Sequence, residues 1–210
     1  MAERRQRLWL TFAVEGSLRW LGHLDLFRAW ERVLRRAGLP LLYSQGFNPR
    51  PRMAMAFPLP VGFTGEGELL DLLLTHPVPP LEVIHRLRAQ LPAGLALRGV
   101  EEVDLRTPSL QSQLQAAEYI VRLQAMPEDL AQRVQELLAT GSCPRERRGR
   151  RYDLRPLIQS LSVEADQELK MVLQAGDRGT GRPDEVLLAL GLDPGTADIH
   201  RRKLHFAFDK

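Results

Sequence analysis

Cysteine is almost missing from this chain: Cys143 stands alone among 210 residues. One thiol forms no internal disulfide, supplies no all-cysteine zinc site and cannot ligate an iron–sulfur cluster that needs three or four thiolates. The five histidines are scattered, and no two have the i, i+4 spacing that sets a pair of ligands on one helix face. No metal site and no cofactor are therefore assigned. Long apolar runs are missing as well. Nothing approaches the roughly 20 residues that a bilayer span needs. The apolar stretch after the basic start is ended by Glu15 and Gly16, so it reads as a strand rather than a signal-peptide core. A soluble, cytoplasmic protein with no membrane partner is expected. Lysine is the third scarcity: Lys170, Lys203 and Lys210 stand against 26 arginines.

What is present is ordinary in bulk and uneven in arrangement. A hydrophobic content of 44% with 26% charged residues is globular, and the length suits one large domain or two small ones. Genome base composition alone can favour arginine, so its distribution says more than its total. Residues 1–52 carry ten arginines and four acids, a net of +6; residues 53–142 net −5; residues 143–210 net +2. Within the last block, 143–155 packs six arginines into thirteen residues. Two basic blocks thus flank an acidic middle. A guanidinium is planar, permanently charged and able to donate two parallel hydrogen bonds, which suits phosphate. The clustering points to RNA or another anionic partner.

Periodicity orders the elements. Residues 7–14 alternate as a strand, and 22–37 read as a helix ended by Gly38 and Pro40. On that helix Leu24, Phe27, Trp30, Leu34 and Ala37 share a face, with Arg28, Arg32, Arg35 and Arg36 on a stripe beside it. A short strand at 41–43, a proline-stiffened loop, strands at 52–57 and 67–75, a helix at 79–91 and a strand at 95–103 follow. Residues 104–115 are polar and read as a linker. The order then recurs: strand 116–124, helix 127–139, strands 151–165 and 167–175, helix 183–190, strand 203–208. The expected fold is α+β, two tandem ferredoxin-like (β-α-β-β-α-β) units with antiparallel sheets, spanning 1–108 and 109–210.

The run LGHLDLFRAWERVLRRAGLPLLYSQGFNPRPRMAMAFPLPVGFTGEGELLDLLL over 18–74, with YDLRPLI at 152–158, RPDEVLLALGL at 182–192 and, more weakly, HRRKLHF at 200–206, resembles the radical-SAM-associated domain family of unknown function, also called DUF2344. In that family the domain occurs alone or fused behind a B12-binding radical SAM protein. The resemblance implies a radical SAM/B12-binding partner in trans and hints at RNA or ribosome-linked modification; it implies no activity. Two positions depart from the family pattern. GFNPHP reads GFNPRP here, with Arg50 where histidine is typical, and Gly22 replaces the usual serine before His23. The first argues against a catalytic role for the loop position.

Four segments are candidate sites. His23 and Asp25 open the arginine-rich helix; Asp25 suits the positive end of the helix dipole, and the pair is also the only catalytic candidate. The loop from Tyr43 and Ser44 through Phe47, Asn48, Arg50 and Arg52 is the best binding candidate. Gly46 permits an unusual turn, two prolines stiffen it, and Tyr43 and Phe47 offer stacking faces for unpaired bases. The same residues also make a plain structural corner. Arg147, Arg148, Arg150, Arg151 and Arg155 form a basic hairpin tip or a solvated loop, and Arg182 follows a glycine-rich turn lacking P-loop spacing. The leading expectation is a non-catalytic RNA-binding accessory protein. The alternatives are a metal-independent RNA-processing enzyme using His23, and a protein–protein adaptor.

Overall fold

The computed structural model describes residues 5–164 and 168–209. The expected end of one strand at 165 and start of another at 167 lie outside those residues. The chain is a mixed α+β protein, with five α-helices among the described residues and antiparallel strand pairing throughout the registers below. It divides into two units, Met1–Gln113 and Leu114–Lys210. No helix among the described residues is long and apolar enough to cross a membrane.

The first unit runs β1 (Gln6–Val14), α1 (His23–Arg36), β2 (Met53–Met55), β3 (Thr64–Leu74), α2 (Pro80–Arg88), β4 (Leu95–Val103) and α3 (Leu110–Gln113). Its strands lie in the order β4-β1-β3-β2. The strict alternation of β1 sends Leu8, Leu10, Phe12 and Val14 to one face, where each is almost wholly buried. Helix α1 meets that face through Trp30, whose ring sits 5.0 Å from Phe12 in an edge-on geometry. The buried face of α1 is Leu26, Ala29, Trp30, Val33 and Leu34, so the expected face is corrected: Leu24 is 68% exposed and Phe27 only half-buried. Ala29 and Val33 join Trp30 and Leu34 on the buried face, which leaves Leu24 outside it. Strand β2 is cut to three residues because Pro51 and Pro58 bracket it and neither can donate to a ladder.

Two polar side chains at the start of β1 tie distant segments, Arg7 on the face opposite Leu8 and Gln6 on the same face as Leu8. Arg7 grips Asp71 of β3 with two nitrogens, at 2.5 and 2.9 Å. It also donates to the carbonyls of Thr107 and, at 3.4 Å, Pro108. Asp71 raises the Arg7 pKa above its ordinary value, chiefly through these hydrogen bonds. Gln6 closes on residue 78 from both sides, its amide accepting from Val78 N at 2.9 Å and donating to Val78 O at 3.2 Å. The polar stretch after β4 is therefore anchored rather than loose.

The second unit runs β5 (Leu114–Leu123), α4 (Leu130–Ala139), β6 (Pro144–Arg147), β7 (Arg150–Asp153), β8 (Ile158–Val163), β9 (Glu168–Gln174), α5 (Pro183–Ala189) and β10 (Ala197–Phe206). Its main strands lie in the order β10-β5-β9-β8, and β6 and β7 form a separate two-stranded sheet. Leu169, Met171 and Leu173 of β9 and Tyr119 and Val121 of β5 alternate into the core. Two strand expectations are corrected. The strand expected over 151–165 is broken by a 3-10 turn at Arg155–Leu157, where Pro156 lacks the N–H a ladder needs. The last strand begins at Ala197, six residues before the expected 203. Its apolar alternation is masked because the fully buried Arg201 takes a core position and the register shifts between Arg201 and Lys203.

Candidate functional site

The loop after α1 is held closed at its base and open at its tip. Tyr43 bridges Pro51; Ser44 N donates to Arg50 O at 2.9 Å, and Arg50 N donates back to Ser44 Oγ at 3.1 Å. Arg52 N reaches Leu42 O at 2.7 Å, and Leu73 N of β3 donates to Arg52 O at 3.0 Å. The excursion 45–49 turns through Gly46 at φ +124°, a conformation that side chains with a Cβ rarely adopt. At its tip Phe47 is completely exposed, and Tyr43 is 38% exposed at the base.

Helix α1 supplies the other wall. Arg28, Glu31 and Arg35, at i, i+3 and i+7, face Asn48, Pro49 and Arg50 across a groove of about 380 Å3. Three guanidinium groups thus line it against one carboxylate. Arg28 pairs with Asp25 at 3.2 Å, both well exposed, and Arg35 with Glu31 at 2.6 Å. The exposed Arg28–Asp25 pair is of a kind worth at most about 1 kcal/mol. The side chains of Arg32, Arg50 and Arg52 make no hydrogen bond or ion pair among the described residues. A second recess of about 340 Å3, lined by Ser44, Pro51, Arg52, Met53, Ala54, Asp71 and Leu73, shares Arg50 with the groove. Arg35, Met53 and Leu73 were not singled out from sequence as site residues. Arg35 was legible as the same-face neighbour of Arg28, whereas Met53 and Leu73 look like ordinary strand residues.

His23 stands at the first position of α1, and its Nδ1 is buried with no hydrogen-bond partner among the described residues. Asp25 is directed to Arg28 instead. A catalytic histidine needs a third group to orient it, and none of the described residues hydrogen-bonds this ring.

In the second unit the arginines of 143–155 belong to the β6–β7 hairpin. Its two-residue turn is Arg148-Gly149, with φ of +49° and +76°, the positive pair that a type I′ turn requires. The first turn of α5 pins the hairpin: Arg145 reaches Glu185 at 3.1 Å and Arg147 reaches Asp184 at 3.8 Å. Burial, then the Glu185 charge and hydrogen bond, push the Tyr152 pKa up to about 12. Burial likewise raises Asp184, with Arg147 pulling it back in part. Arg182 bonds Asp184 at 3.2 Å, and Arg155 donates to the carbonyls of Leu138 and Ile158. Arg147, Arg155 and Arg182 therefore hold structure together. Arg148 and Arg150 have no side-chain partner among the described residues, and Arg151 is 90% exposed beside Glu146 at 3.4 Å. Three of the six predicted arginines of this unit point outward from the hairpin tip, and three do not.

These features define an α+β protein with an arginine-lined groove in one unit and a basic hairpin in the other. Residues 7–183 match the model of a family described as an uncharacterized protein conserved in bacteria (DUF2344). The match covers most of the chain, and the protein belongs to that family. A search of curated proteins finds no match.

Proposed function

We propose that this protein is a non-catalytic RNA-binding accessory that works in trans with a B12-dependent radical SAM enzyme, in RNA or ribosome-linked modification. The observation that carries RNA binding is the groove between α1 and the 44–52 loop, where Arg28, Arg35 and Arg50 oppose Glu31 alone. Its arginines suit phosphates, and the exposed rings of Tyr43 and Phe47 suit unpaired bases. The radical SAM partnership rests on the family resemblance. The chain itself has one thiol, so the cluster chemistry falls to the partner. Each unit is read as ferredoxin-like: the β-α-β-β-α-β succession with strand orders β4-β1-β3-β2 and β10-β5-β9-β8 supports that reading.

A second reading, an RNA-processing enzyme using His23, is disfavoured by the lack of an orienting partner for its ring. The test is direct. In the accessory reading, His23→Ala leaves RNA affinity within about twofold and no RNA cleavage is seen with either protein. Cleavage by the wild type that His23→Ala abolishes supports the enzyme instead. Crosslinking in native extract is expected to recover RNA and a radical SAM protein together; recovery of acidic proteins with no RNA favours an adaptor.

A further inference from the structure

The two cavities share one residue, and their linings differ in kind. On the α1 side of Arg50 the groove is walled by guanidinium groups. On the other side the recess is lined by the apolar Pro51, Met53, Ala54 and Leu73 together with Ser44, Arg52 and Asp71. Its one carboxylate, Asp71, is engaged by Arg7 through both oxygens, so it presents little free charge to an occupant. A volume of about 340 Å3 lies in the range of small-ligand sites. Arg50 is free of ion pairs among the described residues and stands where charge gives way to apolar surface. An anionic group joined to a flat apolar body matches this order, and in RNA that is one nucleotide.

We infer that the 44–54 segment reads a single unpaired nucleotide of single-stranded RNA, with its phosphate at Arg28 and Arg50 and its base in the Met53–Leu73 recess. This rests on the RNA-binding reading above and narrows it. A base stacked and paired in a duplex cannot enter a recess in the protein, whereas a splayed base can. The site therefore selects against double strands without reading their sequence. Ser44 contributes by construction: its hydroxyl accepts from Arg50 N, which fixes the backbone from which the shared guanidinium extends.

The test uses the full chain and a fluorescently labelled ribo-oligonucleotide, alone or annealed to its complement, with affinity read by anisotropy. Burying one base is worth about tenfold in affinity, so the single strand is expected to bind about tenfold more tightly than the duplex. Met53→Glu, which puts a carboxylate in the recess, is expected to remove that advantage. Ala54→Phe, which fills the recess, is the second variant should Met53→Glu fail to fold. Arg50→Gln weakens both forms. Equal affinity for single strand and duplex, unmoved by either recess variant, overturns the single-nucleotide inference and leaves RNA binding standing. No binding of either form at low salt overturns both.

Discussion

Replacing Arg7 by methionine tests how the first unit is held together. Its guanidinium and the Asp71 carboxylate are only 8% and 10% exposed, so the pair sits outside the regime of surface ion pairs. Removing the cation leaves a desolvated carboxylate between β1 and β3 and withdraws the donor from the Thr107 and Pro108 carbonyls. Breaking a buried pair on one side costs about 3–5 kcal/mol, a large share of the roughly 5–15 kcal/mol that holds a domain folded. With a urea slope of about 2 kcal/mol/M, the unfolding midpoint drops by about 2 M. The double variant Arg7→Met/Asp71→Leu, which removes both charges and keeps the volume, is expected to recover most of the loss. A single variant within about 1 kcal/mol of wild type refutes the claim that this pair anchors the segment after β4.

Three further outcomes follow from packing and charge. Trp30→Ala removes the ring seated on Phe12 and is expected to cost about 3–5 kcal/mol in denaturant unfolding, with a loss below 1 kcal/mol contradicting the assigned face of α1. Gly149→Ala forces a Cβ into φ +76° at the hairpin turn, costing about 1 kcal/mol; faster amide exchange confined to β6 and β7 is the readout. Tyr152, held neutral up to about 12 against an ordinary 10.0, should appear as a late step in the ultraviolet phenol titration. A folded-state pKa raised this way adds stability below pH 10 that is lost as pH rises towards 12. Glu185→Gln should bring the step earlier.

Much of the architecture was legible because local signals agreed. The alternation of β1, the proline-opened α2 and α5, and the boundaries of β4 all follow from residues that act within a few positions of themselves. Pro156 shows the limit: a strand-like run on either side of it hides the turn it forces. β10 was misread because Arg201, buried in a core position, counts as polar in any window. The site divided in the same way. Gly46, Phe47 and the arginines of the 44–52 loop stand out in sequence. Which arginines stay free does not, since the partners that occupy Arg145 and Arg147 lie on α5, about 40 residues away. From sequence Asp25 reads as a partner for His23; in the structure it pairs with Arg28 at 3.2 Å.

The salt dependence of RNA affinity probes the arginine groove most directly. Log affinity for a single strand falls with log salt at a slope of about −0.7 per phosphate neutralised. Three contacts, from Arg28, Arg35 and Arg50, give a loss of about 20-fold between 50 and 200 mM. Arg28→Gln/Arg50→Gln is expected to flatten that slope by about 1.4 and weaken binding at every salt concentration. A slope that the double variant leaves unchanged, or affinity too weak to measure at 50 mM, contradicts the account.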